Sequence, residues 1–177
     1  GFRPQRNQHK ALDAVWVGIN RKVSWVLDAD IKGFFDNLDH KWLMKFLKHR
    51  IADPRMIRLI QKWLRAGVSE EGEWSETVVG TPQGAVISPL LANIYLHYVL
   101  DLWAVSWRRE AKGEQIIVRY ADDFVAGFQY KSEAERFLEA LKTRMKKFGL
   151  ELHDTKTKLI EFGRFAVQNR KERGVER

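Results

Sequence analysis

Residues 115–121, QIIVRYA, and 124–130, FVAGFQY, are two apolar runs of strand composition separated only by Asp122-Asp123. Runs joined so closely fold back as a β-hairpin, which puts both carboxylates at its tip. An aspartate pair in a turn is ordinarily just solvated, because Asp favours turns through its own hydrogen bonding. Here Tyr120 precedes the pair and Phe124 follows it, which ties the tip to a core. A second acidic group ends another apolar run, where VSWVLDA, residues 23–29, leads through Asp28 to Asp30 and Asp36. A buried strand emerging at a site reads this way. Alternation puts Asp28 and Asp30 on one face, while Asp36, beside Phe35, suits a helix entry or a hydrogen bond.

If the two strands are sheet neighbours, the acidic groups converge despite their distance along the chain. Like charges a few ångströms apart are unfavourable unless a divalent cation sits among them. Two-metal phosphoryl transfer needs hard oxygen ligands in fixed positions, and carboxylates on strand ends supply them. Read from spacing alone, a solvated turn at Asp122-Asp123 and a strand-end charge at Asp28 stay open beside this.

The rest of the chain surrounds these tips with helices. Asn7 caps a helix to Asn20 whose apolar side is Ala11, Leu12, Val15, Trp16 and Ile19. Asp39 caps another to about Arg50, and Asp53-Pro54 starts a third that stops at Gly67. Residues 73–79 alternate as a strand, and Gly80-Thr81-Pro82-Gln83-Gly84 then forbids regular structure. Ser88 with Pro89 opens a long helix to about Arg109, with Leu90, Ile94, Leu96, Val99, Leu100 and Trp103 on its apolar face. Ser132 caps a helix to Phe148 that Gly149 ends, and LELHDTKTKLIEF reads as a turn flanked by short strands. That order predicts an α+β fold, an antiparallel sheet with helices packed on one face.

Charge and composition narrow the chemistry. The 31 Lys and Arg exceed the 23 Asp and Glu by +8, as suits a surface that meets phosphates. With no cysteine, disulfides, thiolate zinc sites and cysteine nucleophiles are excluded. No apolar run approaches the roughly 20 residues of a membrane span, so the expectation is a cytoplasmic protein with no membrane contact. The chain opens on Gly1-Phe2-Arg3-Pro4 rather than Met, which suggests a piece of something longer.

Tyr120-Ala121-Asp122-Asp123 resembles the YADD signature of reverse transcriptases, and DIKGFFDNLDH, from Asp30 to His40, resembles their first catalytic motif. GTPQGAVISPLLANIYL, from Gly80 to Leu96, is similar to the segment beneath template and nucleotide. With GFRP and LELHDTKT, the wording is closest to the reverse transcriptases (maturases) encoded by group II introns. The resemblance implies a right-hand polymerase palm with part of the fingers over residues 1–163, and a charged tail over 164–177 leading towards primer grip and thumb. It implies an RNA-directed DNA polymerase using Mg2+, with Mn2+ able to substitute, held by Asp30, Asp122, Asp123 and the Ile31 carbonyl.

The same resemblance places Phe35 as a steric gate against a ribose 2′-hydroxyl, with Phe34 left to packing. Gln83, between Pro82 and Gly84, is placed near the nucleotide, Tyr120 beneath the primer end, Arg3 on template phosphates, and Lys156 as proton donor to pyrophosphate. Implied partners are an RNA template, a DNA primer, dNTP and group II intron RNA. Self-association through uncovered apolar faces is a further expectation, as is weak or absent activity of this piece alone. A catalytically inactive RNA-binding module is the competing expectation. A GDD-type viral polymerase or a GGDEF-type cyclase fits less well, because neither explains GTPQG.

Overall fold

The computed structural model describes residues 3–20, 22–65, 68–70, 73–75, 87–163 and 166. In chain order the elements are α1 (Gln8–Ile19), β1 (Trp25–Ala29), α2 (His40–Lys48), α3 (Pro54–Arg65), β2 (Val68–Glu70), β3 (Glu73–Ser75) and α4 (Ser88–Leu96). A π-helical turn, His97–Asp101, joins α4 to α5 (Leu102–Glu110), and β4 (Gln115–Tyr120), β5 (Asp123–Phe128), α6 (Lys131–Lys147) and β6 (Lys158–Glu161) complete the chain.

Four strands form one antiparallel sheet in the order β4-β5-β1-β6. The order follows from hydrophobic alternation. Leu27 pairs with Ala126 and Ala29 with Phe124, and all four are buried on the face that α6 covers, where Phe128 meets Phe137 at 5.1 Å between ring centroids. A register slip of one residue would turn this set outward, so burial of one face locks the pairing. The opposite face carries Asp28 and Val125, which are paired, and Tyr120 opposite Asp123. The helices therefore pack on one face as expected, with α1 the exception. Its Gly18 lies so close to Ile116 that an added Cβ would overlap the Ile116 Cδ1.

That contact also corrects the expected apolar side of α1. Leu12 and Trp16 are exposed, at 65% and 68%, and the helix instead turns Gly18 inward with Ala11, Val15 and Ile19 half-buried. A glycine permits the closest approach of helix to strand, and apolar periodicity carries no signal for it. Asn7 caps α1 through Lys10 N–H at 2.9 Å, and Asp39 caps α2 through Trp42 N–H at 2.9 Å, both as expected. α4 starts at Ser88 as expected, with Ile87 as its N-cap, whereas Tyr130, without a side-chain bond, precedes α6 in place of the expected Ser132 cap. Pro89 and the buried faces of both helices set their starts without a capping side chain. The expected strand over 73–79 is seen as β3 over 73–75, and its remainder lies outside the described residues, as do Pro82, Gln83 and Gly84.

The expected long helix from Ser88 is continuous through the π turn. The Arg144 guanidinium donates to the Val99 and Tyr98 carbonyls of that turn at 3.0 and 3.1 Å, supplying partners where the i−4 ladder is broken. Burial lowers the Arg144 pKa, and its guanidinium lies over the Phe148 ring at 4.6 Å. Among the described residues no helix is long and apolar enough to cross a membrane.

Gly18→Val is predicted to destabilise the chain by about 1–3 kcal/mol through overpacking against Ile116. Urea unfolding checks it, and Leu12→Val on the exposed side of the same helix should shift the midpoint far less.

Candidate active site

The register carries the two acidic groups to one end of the sheet. β1 and β5 are neighbours, Ala29 pairs with Phe124, and the residues next to that pair are Asp30 and Asp123, close enough for the Asp30 charge to act on Asp123. Asp122 completes the hairpin tip and Asp28 stands two residues before Asp30, opposite Val125. The physical consequence falls on Asp123, whose pKa is raised by burial and then by the charges of Asp122, Asp30 and Asp28. Lys156 opposes that rise, and its Nζ lies 3.3 Å from Asp30 Oδ2. The ammonium reaches Asp30 because the turn at residues 153–157 is pinned to the end of β1. His153 N–H donates to the Asp30 carbonyl at 2.8 Å, and Lys32 N–H to the Glu151 carbonyl at 2.9 Å. Neither bond uses the carbonyl of Ile31, which pairs with Leu152 across the same bridge.

Among the described residues no three His, Asp or Glu side chains stand in an arrangement that could by itself hold a metal ion. The donor chemistry nevertheless fits one. Every acidic group here offers hard oxygen, the kind magnesium and manganese take, and the mutual repulsion that raises Asp123 is what a divalent charge would relieve.

Phe34 and Phe35 differ in burial. Phe34 is 2% exposed and meets Tyr95 in the core, while Phe35 is half-buried, edge-on to Phe34 at 5.3 Å. The glycine before them, Gly33, takes φ +51°, a left-handed turn that brings the Asp36 and Asn37 N–H groups back to its carbonyl. Tyr120 is half-buried, opposite Asp123. Arg3 is turned aside, since it donates to Asp101 Oδ2 at 3.0 Å.

Sequence reasoning missed the support beneath the hairpin tip. Arg119, only 7% exposed, grips Asp101 in a bidentate pair with both bonds at 2.7 Å. Its Nη1 also donates to Asn93 at 3.0 Å and to the Ala121 carbonyl at 2.6 Å. Ala121 itself stands at φ +58°, a conformation that costs a non-glycine residue roughly 1 kcal/mol and persists only where surroundings hold it. Arg119 supplies that hold. The available signal was a charge in register with the inward residues of an otherwise apolar strand, which demands a buried counterion. Burial pushes the Asp101 pKa up, but the hydrogen bonds and charge of Arg119, followed by those of Arg3, outweigh it and leave it below the ordinary carboxylate value.

A family model described as reverse transcriptase (RNA-dependent DNA polymerase) matches residues 1–174. The chain is 48% identical over 109 residues to the group II intron-encoded protein LtrA of Lactococcus lactis subsp. cremoris, covering 58% of this chain and 18% of that protein. It is 35% identical over 155 residues to protein YkfC of Escherichia coli, covering 71% of this chain and 41% of the relative. It thus spans less than half the length of either. The apo telomerase of Candida tropicalis, truncated from its C-terminal domain, superposes with a TM-score of 0.71 at 16% identity, over 90% of this chain and 36% of that one. At that identity the likeness shows the fold alone, a polymerase palm.

A raised carboxylate pKa favours the folded state below it, and that contribution is lost as pH rises through the folded value. At neutral pH charged Asp123 therefore opposes folding. Asp123→Asn is predicted to raise the melting temperature in EDTA, while added Mn2+ stabilises the wild type and has much less effect on the variant. For Asp101 the sign reverses. Its depressed pKa contributes stability above the ordinary carboxylate range, lost as pH falls through the folded value. Arg119→Met should cost about 3 kcal/mol by stranding Asp101. The stability gap between wild type and Asp101→Asn should shrink in acid, both read by denaturant titration.

Proposed function

The chain belongs to the reverse transcriptase (RNA-dependent DNA polymerase) family, and from that premise we propose that it is the palm portion of a polymerase that extends a DNA primer along an RNA template in a group II intron setting. The observation that carries the reading is Asp30 brought beside Asp123 at the mouth of the sheet by the β1–β5 register. In the proposal Asp30, Asp122 and Asp123, with the Ile31 carbonyl, hold magnesium or manganese. Bound there, such an ion lowers the pKa of a primer hydroxyl and neutralises charge on the leaving oxygen.

The remaining roles belong to this chain's own groups. Lys156, which pairs with Asp30, is the proposed proton donor to departing pyrophosphate. Phe35, packed against buried Phe34, is the proposed gate that crowds a 2′-hydroxyl and so favours dNTP over ribonucleotide. Tyr120 supports the primer end from the open face. Pro82, Gln83 and Gly84 keep their proposed place beside nucleotide and template. Arg3 has a structural pairing with Asp101, and a template-phosphate role requires it to leave that pair. Residues 1–163 are read as palm with part of the fingers and 164–177 as a charged tail. Exposed Leu12, Trp16 and Val17 make self-association of the isolated chain part of the same proposal.

The second reading is an RNA-binding module without catalysis, which the net charge of +8 would serve equally well. Primer extension with the full-length protein separates the two. Asp30→Ala or Asp122→Ala is expected to lower single-turnover incorporation by about 10^3-fold or more while RNA binding persists. Undiminished extension would refute the polymerase reading, and absence of extension in the unmutated protein would favour the module. Phe35→Val is expected to raise the relative use of ribonucleotides by about tenfold, read from competing dNTP and NTP incorporation.

A further inference from the structure

β4 is the end strand of the sheet, and a cleft of about 380 Å3 runs along its free edge between α1 and α5. That volume lies in the range of small-ligand pockets. One end reaches Tyr120, paired with Asp123 at the candidate active site, and the other reaches Gln115.

The lining is unbalanced in charge. Arg3, Arg6, Lys10, Arg108 and Arg119 line the cleft against a single carboxylate, Asp101. Asp101 is committed to Arg119 and Arg3. The Arg6 and Arg108 guanidinium groups have no ion-pair partner among the described residues, and Lys10 spends one of its three hydrogens on the Gln5 carbonyl at 2.7 Å. Three cations are thus left to an anion.

Set into the cleft wall is an unusual group. Gln115 is 2% exposed, and neither its amide nitrogen nor its amide oxygen has a hydrogen-bond partner among the described residues. Buried amides left unpaired are costly, and native structures rarely keep both ends of one open. A nucleobase edge offers a donor beside an acceptor, the complement of a primary amide, and a phosphate is what free guanidinium groups bind best.

We propose that this cleft binds a nucleoside phosphate, with the base edge on Gln115 and the phosphate among Arg6, Lys10 and Arg108. The proposal deepens the polymerase reading, because it gives a nucleotide a second seat beside the candidate active site. The occupant is either a free nucleotide or one unit of a bound strand.

Titration in EDTA, which takes the carboxylate site out of the measurement, tests it with AMP, a single-stranded RNA octamer and inorganic phosphate as probes. Arg6→Glu and Arg108→Glu are each expected to weaken AMP binding about tenfold and to reduce the salt dependence of octamer binding by roughly one phosphate contact. Gln115→Leu should weaken AMP at least about fivefold while leaving the melting temperature equal or higher, since it removes an unpaired amide. AMP that competes with the octamer assigns the seat to a strand nucleotide; AMP that binds beside it assigns a free one. The proposal is overturned if AMP fails to bind, if phosphate competes as well as AMP, or if either the charge reversals or Gln115→Leu leave AMP affinity within about twofold of wild type. A water resting on Gln115 predicts that last result. None of these residues is a proposed metal ligand, so failure here leaves the primer-extension outcome standing.

Discussion

The pairing of β1 with β5 governs everything the molecule is positioned to do. Leu27 against Ala126 and Ala29 against Phe124 bury one face of the sheet, and that burial permits a single register. The same register sets Asp30 beside Asp123. Hydrophobic packing on one side of the sheet thereby forces together charges that repel on the other. The chain offsets some of that repulsion internally, through Lys156 on Asp30, while burial and then the remaining repulsion raise the Asp123 pKa above its ordinary value.

A strained turn under electrostatic load needs a rigid base. Ala121 is held in a left-handed conformation by the Arg119 guanidinium, which is in turn fixed by Asp101 and Asn93. Asp101 closes the π turn between α4 and α5, and the loosened carbonyls of that turn are taken up by Arg144 from α6. The hairpin tip is thus tied to three helices through charged hydrogen bonds rather than through its own short turn. Buried ion pairs contribute modestly to net stability, but they specify one geometry, and losing a single partner is expensive.

Much of this could be read from the residues in order. The hairpin, its acidic tip, the caps at Asn7 and Asp39, and the stop at Gly149, with φ +74°, each follow from local chemistry that a sequence displays. What escaped it was long-range. The buried side of α1 is set by Gly18 meeting Ile116, and glycine contributes nothing to apolar periodicity, so Leu12 and Trp16 misled. The Arg119–Asp101 clamp joins a strand to a helix turn, and only the observation that Arg119 shares a face with Ile117 hints at it. The start of α6 is decided by burial of Ala134 and Phe137, which overrides the capping preference of Ser132. Lys156 is legible as a residue type, but its contact with Asp30 depends on His153 N–H binding the end of β1.

The account rests on carboxylates gathered by strand register acting together as a seat for a hard cation. Anomalous diffraction from crystals soaked in manganese tests that most directly. The account predicts a peak among Asp30, Asp122 and Asp123, lost when Asp123 is replaced by Asn. A peak elsewhere, or clear density for all three side chains with no anomalous signal among them at saturating manganese, would contradict it.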